Sequence, residues 1–354
     1  MQWMIYGANG YTARLIAREA VRRGLRPILA GRSAEKIQPL ADELSLPVRI
    51  FDLNTPGSVK QGLEGIGICL HCAGPFSQTA KPMRDAAISV GCHYLDITGE
   101  YQVLEDSYQS QDAARAAGSV VISGVGFDVV ATDTLAALLK EAVPEATHLE
   151  MAFADSAGPS AGTAKTMLES LPDGLTVRQN GKLEKMPMGE HHKDIPFADK
   201  NRHCVAISWG DIVTAWHSAH IPNIRVYFPM DKKQVGFIRR WHGMTRVLKW
   251  QPALRFMQKV VERRVDGPSD DALATRRTQL WGRIWNESES VEKTLDVPQG
   301  YQYTVLSALF AVEQLLAHRV MPGAYTPSQA FDPHTLVLLE RENAQDIALE
   351  SGAI

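Results

Sequence analysis

The chain has 354 residues, 45% of them hydrophobic and 22% charged, with 27 Gly, 19 Pro, 4 Cys and a formal net charge of −3. That length exceeds what one hydrophobic core usually organises, so two domains are expected, and the composition excludes collagenous, coiled-coil and disordered classes. The slightly acidic balance argues against a general nucleic-acid binder, and so few cysteines in so long a chain argue against a disulfide-stapled secreted module.

The longest uncharged stretches, near Gly65–Ala80 and Gly300–Val312, are interrupted by Gly or Pro or fall short of the roughly 20 apolar residues a membrane span needs. Met1 leads directly into a strand-like run with no basic and apolar leader, so the expected location is the cytoplasm.

Taken in chain order, Gln2–Tyr6, Arg26–Ala30, Pro47–Phe51, Ile66–Cys72, Cys92–Ile97 and Ser119–Ser123 read as strands. Between them Tyr11–Arg23, Ala34–Leu44, Thr79–Val90 and Tyr101–Ala117 carry helical periodicity, with Gly24, Gly91 and Gly118 at helix ends. Repeated β-α units of this length require a parallel sheet with right-handed crossovers on both faces, which is an α/β, doubly wound (Rossmann) domain over residues 1–128.

After Gly126 a helix at Thr132–Glu141 precedes strand-like runs at His148–Ala154, Val205–Ser208, Val213–Ala219 and Ile224–Tyr227. This pattern predicts a second α+β domain over 129–300. A last apolar helix, Tyr301–Arg319, opens a segment 301–354 expected to pack back on the first domain.

Gly7-Ala8-Asn9-Gly10-Tyr11-Thr12-Ala13 joins the first strand to the first helix as a G-x-x-G-x-x-A turn. Gly7 permits the sharp turn, Gly10 lets backbone approach a pyrophosphate, and Ala13 lets helix and sheet close together. The N-terminus of the helix, with Tyr11 and Thr12, supplies N–H groups and a positive dipole end.

An NAD site would carry an acid at the end of the second strand; here the chain reads Ala30-Gly31-Arg32-Ser33. The Arg32 fork, with Ser33 and Lys36 as further donors, suits a ribose 2′-phosphate, so NADP(H) is the expected cofactor. Asp52 is placed either at the adenine edge or as a cap. Ala73-Gly74-Pro75-Phe76, after the fourth strand, can border the nicotinamide or serve as a rigid strand-to-helix corner.

With these motifs in hand, the chain resembles the saccharopine dehydrogenase-like oxidoreductases, in the branch that includes trans-acting enoyl reductases. The resemblance rests on Tyr6–Thr12, Ala30-Gly31-Arg32, Ala73–Phe76, Tyr94-Leu95-Asp96-Ile97-Thr98-Gly99-Glu100, Gly126-Phe127-Asp128, Gly162-Thr163-Ala164, Trp209-Gly210-Asp211, Ile221–Ile224 and Gly267-Pro268-Ser269. It implies an N-terminal Rossmann domain, NADP(H) as the usual cofactor, and a second α+β domain that covers the nicotinamide. Ala13 stands where the family's commonest loop has Gly. The saccharopine reaction itself is not carried over, because the resemblance lies in cofactor and scaffold motifs.

Hydride transfer needs a group that handles a proton beside the nicotinamide. Tyr94, Asp96 and Glu100 are the candidates, although the two carboxylates are equally suited to cap helices or pair with arginines. Asp128 reads as a link between domains. Cys69 and Cys72 lie in an apolar strand, and the histidines lack a ligand-like spacing, so no metal is expected.

From Arg225 to Arg264 there are 11 Lys or Arg against Asp231 and Glu262, a local +9 beside −12 elsewhere. Phe237, Trp241, Met244 and Leu248, then Leu254, Met257 and Val261, recur at helical spacing. Such a basic amphipathic pair can lie on an anionic membrane surface, cover an acyl pocket, or be an ordinary solvated helix pair. The expected function is reduction of a C=C or C=O/C=N bond in a small or acyl/lipid-like substrate, with a homodimer as the candidate assembly. The alternative is a non-catalytic NADP-binding sensor or peripheral membrane protein.

Overall fold

A computed structural model describes residues 1–55, 57–155, 174–241 and 276–339. In chain order the elements are β1 (Trp3–Tyr6), α1 (Tyr11–Arg22), β2 (Ile28–Gly31), α2 (Ala34–Leu44), β3 (Val48–Ile50), α3 (Ser58–Gly62), β4 (Ile68–His71) and α4 (Phe76–Ser89). There follow β5 (His93–Asp96), α5 (Tyr101–Tyr108), α6 (Gln111–Ala116), β6 (Val120–Ile122), α7 (Phe127–Ala142), β7 (His148–Asp155), β8 (Leu175–Gln179), β9 (Lys182–Met186), β10 (His192–Pro196) and β11 (Asn201–Ile207). The remainder comprises α8 (Asp211–Ala219), β12 (Asn223–Pro229), α9 (Lys232–Trp241), β13 (Arg277–Trp285), β14 (Ser290–Pro298), α10 (Gly300–Leu316), β15 (Gly323–Tyr325), α11 (Pro327–Ala330) and α12 (Pro333–Val337).

The chain divides into two compact units, Met1–Val130 together with the chain from Tyr301 onward, and Ala131–Gly300. In the first, seven parallel strands run in the order β15-β6-β5-β4-β1-β2-β3. β1, β2 and β4 are buried along their whole length, as a parallel sheet covered on both faces requires. Strand order reverses between β1 and β4, and ligands of such sheets bind in the crevice beyond the carboxyl ends at that reversal. One layer of the core packs Met4, Tyr6, Cys69, Met83 and Tyr94 together, which holds the β1 and β4 ends rigidly.

The second unit holds an eight-stranded sheet with the path β10-β11-β12-β7-β13-β14, to which β8 and β9 add beside β12. Its pairings are antiparallel except β12 with β7. Helix α7 presses on this sheet: a Cβ at Gly282 of β13 would lie 2.7 Å from Leu139 and 3.0 Å from Leu135. The fold class is thus a Rossmann domain with a second α+β unit.

Several expected elements differ. Val213–Ala219 is not a strand but lies in helix α8, since Ile212, Val213, Thr214, Ala215 and Ala219 are all buried there, and tertiary burial overrides the β-propensity of Val and Thr. His217 therefore sits on a helix, and His220 closes it with a left-handed backbone, φ 54°. The stretch Tyr101–Ala117 is two helices, because Ser110 turns back on the Ser107 carbonyl through both its N–H (3.1 Å) and its hydroxyl (2.5 Å). Helix α7 begins at Phe127, five residues before the expected start, so Asp128 is inside its first turn.

The basic segment is described only as far as Trp241, in α9; Met244, Leu248, Leu254, Met257 and Val261 lie outside the described residues, as do Gly162-Thr163-Ala164 and Gly267-Pro268-Ser269. No described helix is long and apolar enough to cross a membrane.

Candidate dinucleotide site

Gly7 leaves β1 with φ +84°, a conformation that L side chains rarely adopt, and a Cβ there would lie 2.8 Å from the Cβ and the backbone N of Ala73. The two strand ends at the reversal are therefore in direct contact. The turn is tied down by hydrogen bonds from the Gly7 and Ala8 N–H groups to the Ala30 carbonyl at 2.8 and 3.0 Å, and from Gly10 N–H to the Gly7 carbonyl at 2.9 Å.

Helix α1 then starts with Gly10 as N-cap. No side chain caps it, no acid occupies its first turn, and the first intrahelical bond runs from Arg14 N–H to the Gly10 carbonyl. The N–H groups of the first turn, at Tyr11, Thr12 and Ala13, are not consumed by the helix's own ladder, and the positive dipole end is not neutralised by a neighbouring carboxylate. A diphosphate fits this end.

On the adenosine side, Arg32 and Ser33 follow β2. Arg32 is exposed and has no hydrogen-bond or ion-pair partner among the described residues. Ser33 is the N-cap of α2, yet its hydroxyl makes no capping bond. Asn9 is exposed, and its side-chain oxygen stands 3.9 Å from where a Cβ on Gly31 would be. Loop and strand end thus form one ledge.

Asp52 is committed locally: it accepts from Asn54 N–H at 2.9 Å and Thr55 hydroxyl at 3.3 Å. Those bonds, the Asn54 N–H foremost, hold its carboxyl below the ordinary carboxylate range. Asp52 thus anchors a local turn, and the cap of the following helix is Gly57. Burial, followed by the Asp52 charge, raises the Tyr6 phenol to about 12, and its hydroxyl donates to the Phe51 carbonyl at 3.2 Å.

On the nicotinamide side the loop Ala73–Phe76 is held from behind. Thr79, in the first turn of α4, donates to the carbonyls of Ala73 (2.6 Å) and Pro75 (3.1 Å) and meets His71 Nε2 at 3.0 Å. Burial pushes the His71 imidazole down to about 3, so it is neutral at any ordinary pH. Gly74 is exposed, and a Cβ there would only touch the Phe76 ring at 3.7 Å, so this loop has an accessible face.

The three candidate acid–base residues stand close along the chain but in different surroundings. Tyr94 and Asp96 are both 0% exposed. Asp96 accepts from the N–H groups of Thr98 (3.0 Å) and Gly124 (2.9 Å) and from the Ser123 hydroxyl (2.8 Å). Burial still raises its carboxyl above the usual range, with those bonds opposing it. Burial, then the neighbouring Asp96 charge, holds the Tyr94 phenol well above its ordinary value.

Glu100 is half-buried and accepts from Phe76 N–H at 2.9 Å and Ser77 N–H at 2.8 Å, so it joins the β5 loop to the start of α4. Asp128 lies against Gly99, where a Cβ would come within 2.9 Å of it.

Sequence reading missed His71, Thr79 and Tyr301. Thr79 had a usable signal, four residues after Pro75 in a helix's first turn. Tyr301, at the start of α10, sets its ring edge-on to Tyr11 at 5.2 Å; nothing in a separation of 290 positions announces that.

Residues 3–122 match the family model for the saccharopine dehydrogenase NADP binding domain. A saccharopine dehydrogenase-like oxidoreductase of Homo sapiens is 27% identical over 150 residues, 37% of this chain and 35% of that protein. A trans-acting enoyl reductase of Mycobacterium ulcerans is 26% identical over 140 residues, 37% of this chain and 33% of that protein. The matched stretch spans about a third of the length of these relatives.

Among solved structures, an apo histidine-tagged saccharopine dehydrogenase (L-Glu forming) from Saccharomyces cerevisiae superposes with a TM-score of 0.63 over 97% of each chain at 11% identity, a likeness of fold alone. The phosphate loop and the strand order thus agree with the match of residues 3–122 to the saccharopine dehydrogenase NADP binding domain.

Proposed function

We propose that the chain is an NADP(H)-dependent oxidoreductase that reduces a C=C or C=O/C=N bond of a small or acyl/lipid-like substrate. The observation that carries this reading is the pairing of an anion-ready α1 N-terminus with an exposed Arg32 that makes no hydrogen bond or ion pair among the described residues, where an NAD site would place an acid. When bound, the nicotinamide supplies the hydride. The chain's part is then to seat the diphosphate on Gly10–Thr12, hold the phosphorylated ribose through Arg32 and Ser33, and offer the ring an open, fixed loop at Ala73–Phe76.

In this reading Asp96 and Tyr94 are positioning residues that keep the β5 end in place. Glu100, bonded to the Phe76 and Ser77 N–H groups, is the acid–base candidate tied to the loop that would border the ring. Calorimetric titration of the full chain with NADPH and NADH tests the cofactor half: tighter NADPH binding is expected, and equal affinities would overturn it. Loss of NADPH absorbance across a panel of enoyl, carbonyl and imine compounds tests the reaction.

A second reading, a dinucleotide-binding sensor or peripheral membrane protein without turnover, draws support from the burial of Tyr94 and Asp96. Silence across the panel together with salt-sensitive flotation on anionic vesicles would favour it.

A further inference from the structure

The groove between α1 and α2 is a concavity of 340 Å³ below the Asn9 ledge. Two cations line it from opposite helices. Arg14 comes from α1, four residues past the N-cap glycine, and Lys36 from the first turn of α2. Both are exposed, and neither has a hydrogen-bond or ion-pair partner among the described residues.

The nearby carboxylates do not cancel them equally. Glu43, at the lower end, is held by Arg18 through two bonds of 2.8 and 3.0 Å, and Arg14 adds only a longer-range attraction to that carboxylate. Glu35 is the remaining carboxylate on the rim. Other exposed arginines of the same two helices are spent in pairs: Arg18 on Glu43, and Arg22 on Glu19 at 2.7 Å. Unpaired cations facing each other across a groove, beside an unpaired Arg32 and an uncommitted Ser33 hydroxyl, mark a place where a dianion supplies the missing partner.

We propose that Arg14, with Lys36 across the groove, is a specificity-determining residue for the ribose 2′-phosphate, forming the outer half of a seat whose inner half is Arg32 and Ser33. The inference rests on the NADP(H) reading above and deepens it. Lysine and arginine act differently here: Arg14 can present two N–H groups to one phosphate, and Lys36 adds a mobile point charge. A ligand without the 2′-phosphate meets neither.

Calorimetry on the full chain with NADPH, NADH, 2′,5′-ADP and 5′-ADP tests this by binding alone. Arg14→Gln is expected to weaken NADPH and 2′,5′-ADP about 10- to 100-fold while leaving NADH and 5′-ADP within about twofold. Arg14→Lys should recover part of the loss, and Arg22→Gln, two turns further along α1 where Arg22 pairs with Glu19, should change none of the four. An Arg14→Gln protein that retains the wild-type NADPH-to-NADH ratio overturns the inference. So does a loss that falls equally on ligands with and without the 2′-phosphate. If Arg32→Gln abolishes the preference and Arg14→Gln does not, the inference fails while the NADP(H) reading survives. A wild-type chain that does not discriminate sinks both. Arg14 is exposed on a helix surface, and an unchanged melting temperature for Arg14→Gln separates a binding loss from misfolding.

Discussion

The two halves of the dinucleotide crevice are built on opposite principles. On the nicotinamide side the loop is held by committed side chains: Thr79 holds two carbonyls, Glu100 two N–H groups, and Asp96 three donors. On the adenosine side Arg14, Arg32 and Lys36 are exposed and make no hydrogen bond or ion pair among the described residues, and Ser33 does not cap its helix. A region that must hold a ring at a fixed distance gains from being complete before the ligand arrives. A region that recognises a charged tag gains from leaving its charges unmet, because the ligand then supplies the counter-charge. Substitutions in the first half should therefore cost stability, and those in the second should cost binding only.

The largest effect is expected at the joint between the halves. Gly7→Val puts a β-branched side chain at φ +84° and against Ala73, two penalties that together exceed about 3 kcal/mol. Urea denaturation should show the first unit close to unfolded; near-native stability would mean that the loop yields more easily than its contacts indicate. Next, Asp96→Ala strands the buried Thr98 N–H, while Gly124 N–H keeps the Asp96 carbonyl and Ser123 keeps Ser107, and about 1–3 kcal/mol should be lost. A loss below about 1 kcal/mol would remove Asp96 from the framework.

His71 sharpens the comparison through pH. Its folded value lies near 3, below the ordinary 6.5, so the unfolded chain binds a proton that the folded chain refuses. Above about pH 6.5 both forms are neutral and the residue adds no pH dependence. As pH falls from 6.5 towards 3 it takes away about 1.4 kcal/mol of stability per unit. Denaturation midpoints of the parent and His71→Gln at pH 7, 6 and 5 should converge or cross as pH drops, the variant showing the shallower slope. Parallel slopes would mean that the imidazole is not buried.

The smallest expected stability change is at Arg32→Ala, within about 0.5 kcal/mol because the side chain is exposed and unpaired, alongside a clear loss of NADPH affinity. Glu100→Gln should fall between, at about 1 kcal/mol, because an amide still accepts one of the two N–H bonds at the start of α4. If the two variants exchanged these behaviours, the division between a finished half and a waiting half would be wrong.

Much of the first unit was legible along the chain because its determinants are local. A glycine with positive φ, a strand of uninterrupted apolar residues and a Gly-rich start to a helix are each set by a few consecutive residues, so β1, α1, β2 and the phosphate loop could be read directly. The second unit was harder: α8 looks like a strand because Val213 and Thr214 favour one, and only its burial against neighbouring elements makes it a helix. The contacts of Asp52 with Asn54 and Thr55 form a local turn that its place after a strand did not announce.

By itself, then, the order of residues determined that a dinucleotide loop opens the chain and that no acid follows the second strand, since both depend on neighbours within one turn. Only the tertiary structure decided that Tyr94 and Asp96 are enclosed, that Glu100 spends its oxygens on α4, that Tyr301 meets Tyr11, and that Arg14 faces Lys36. Those are relations across 20 to 290 positions, and burial and charge are properties of what surrounds a side chain, which exists only once distant segments have packed.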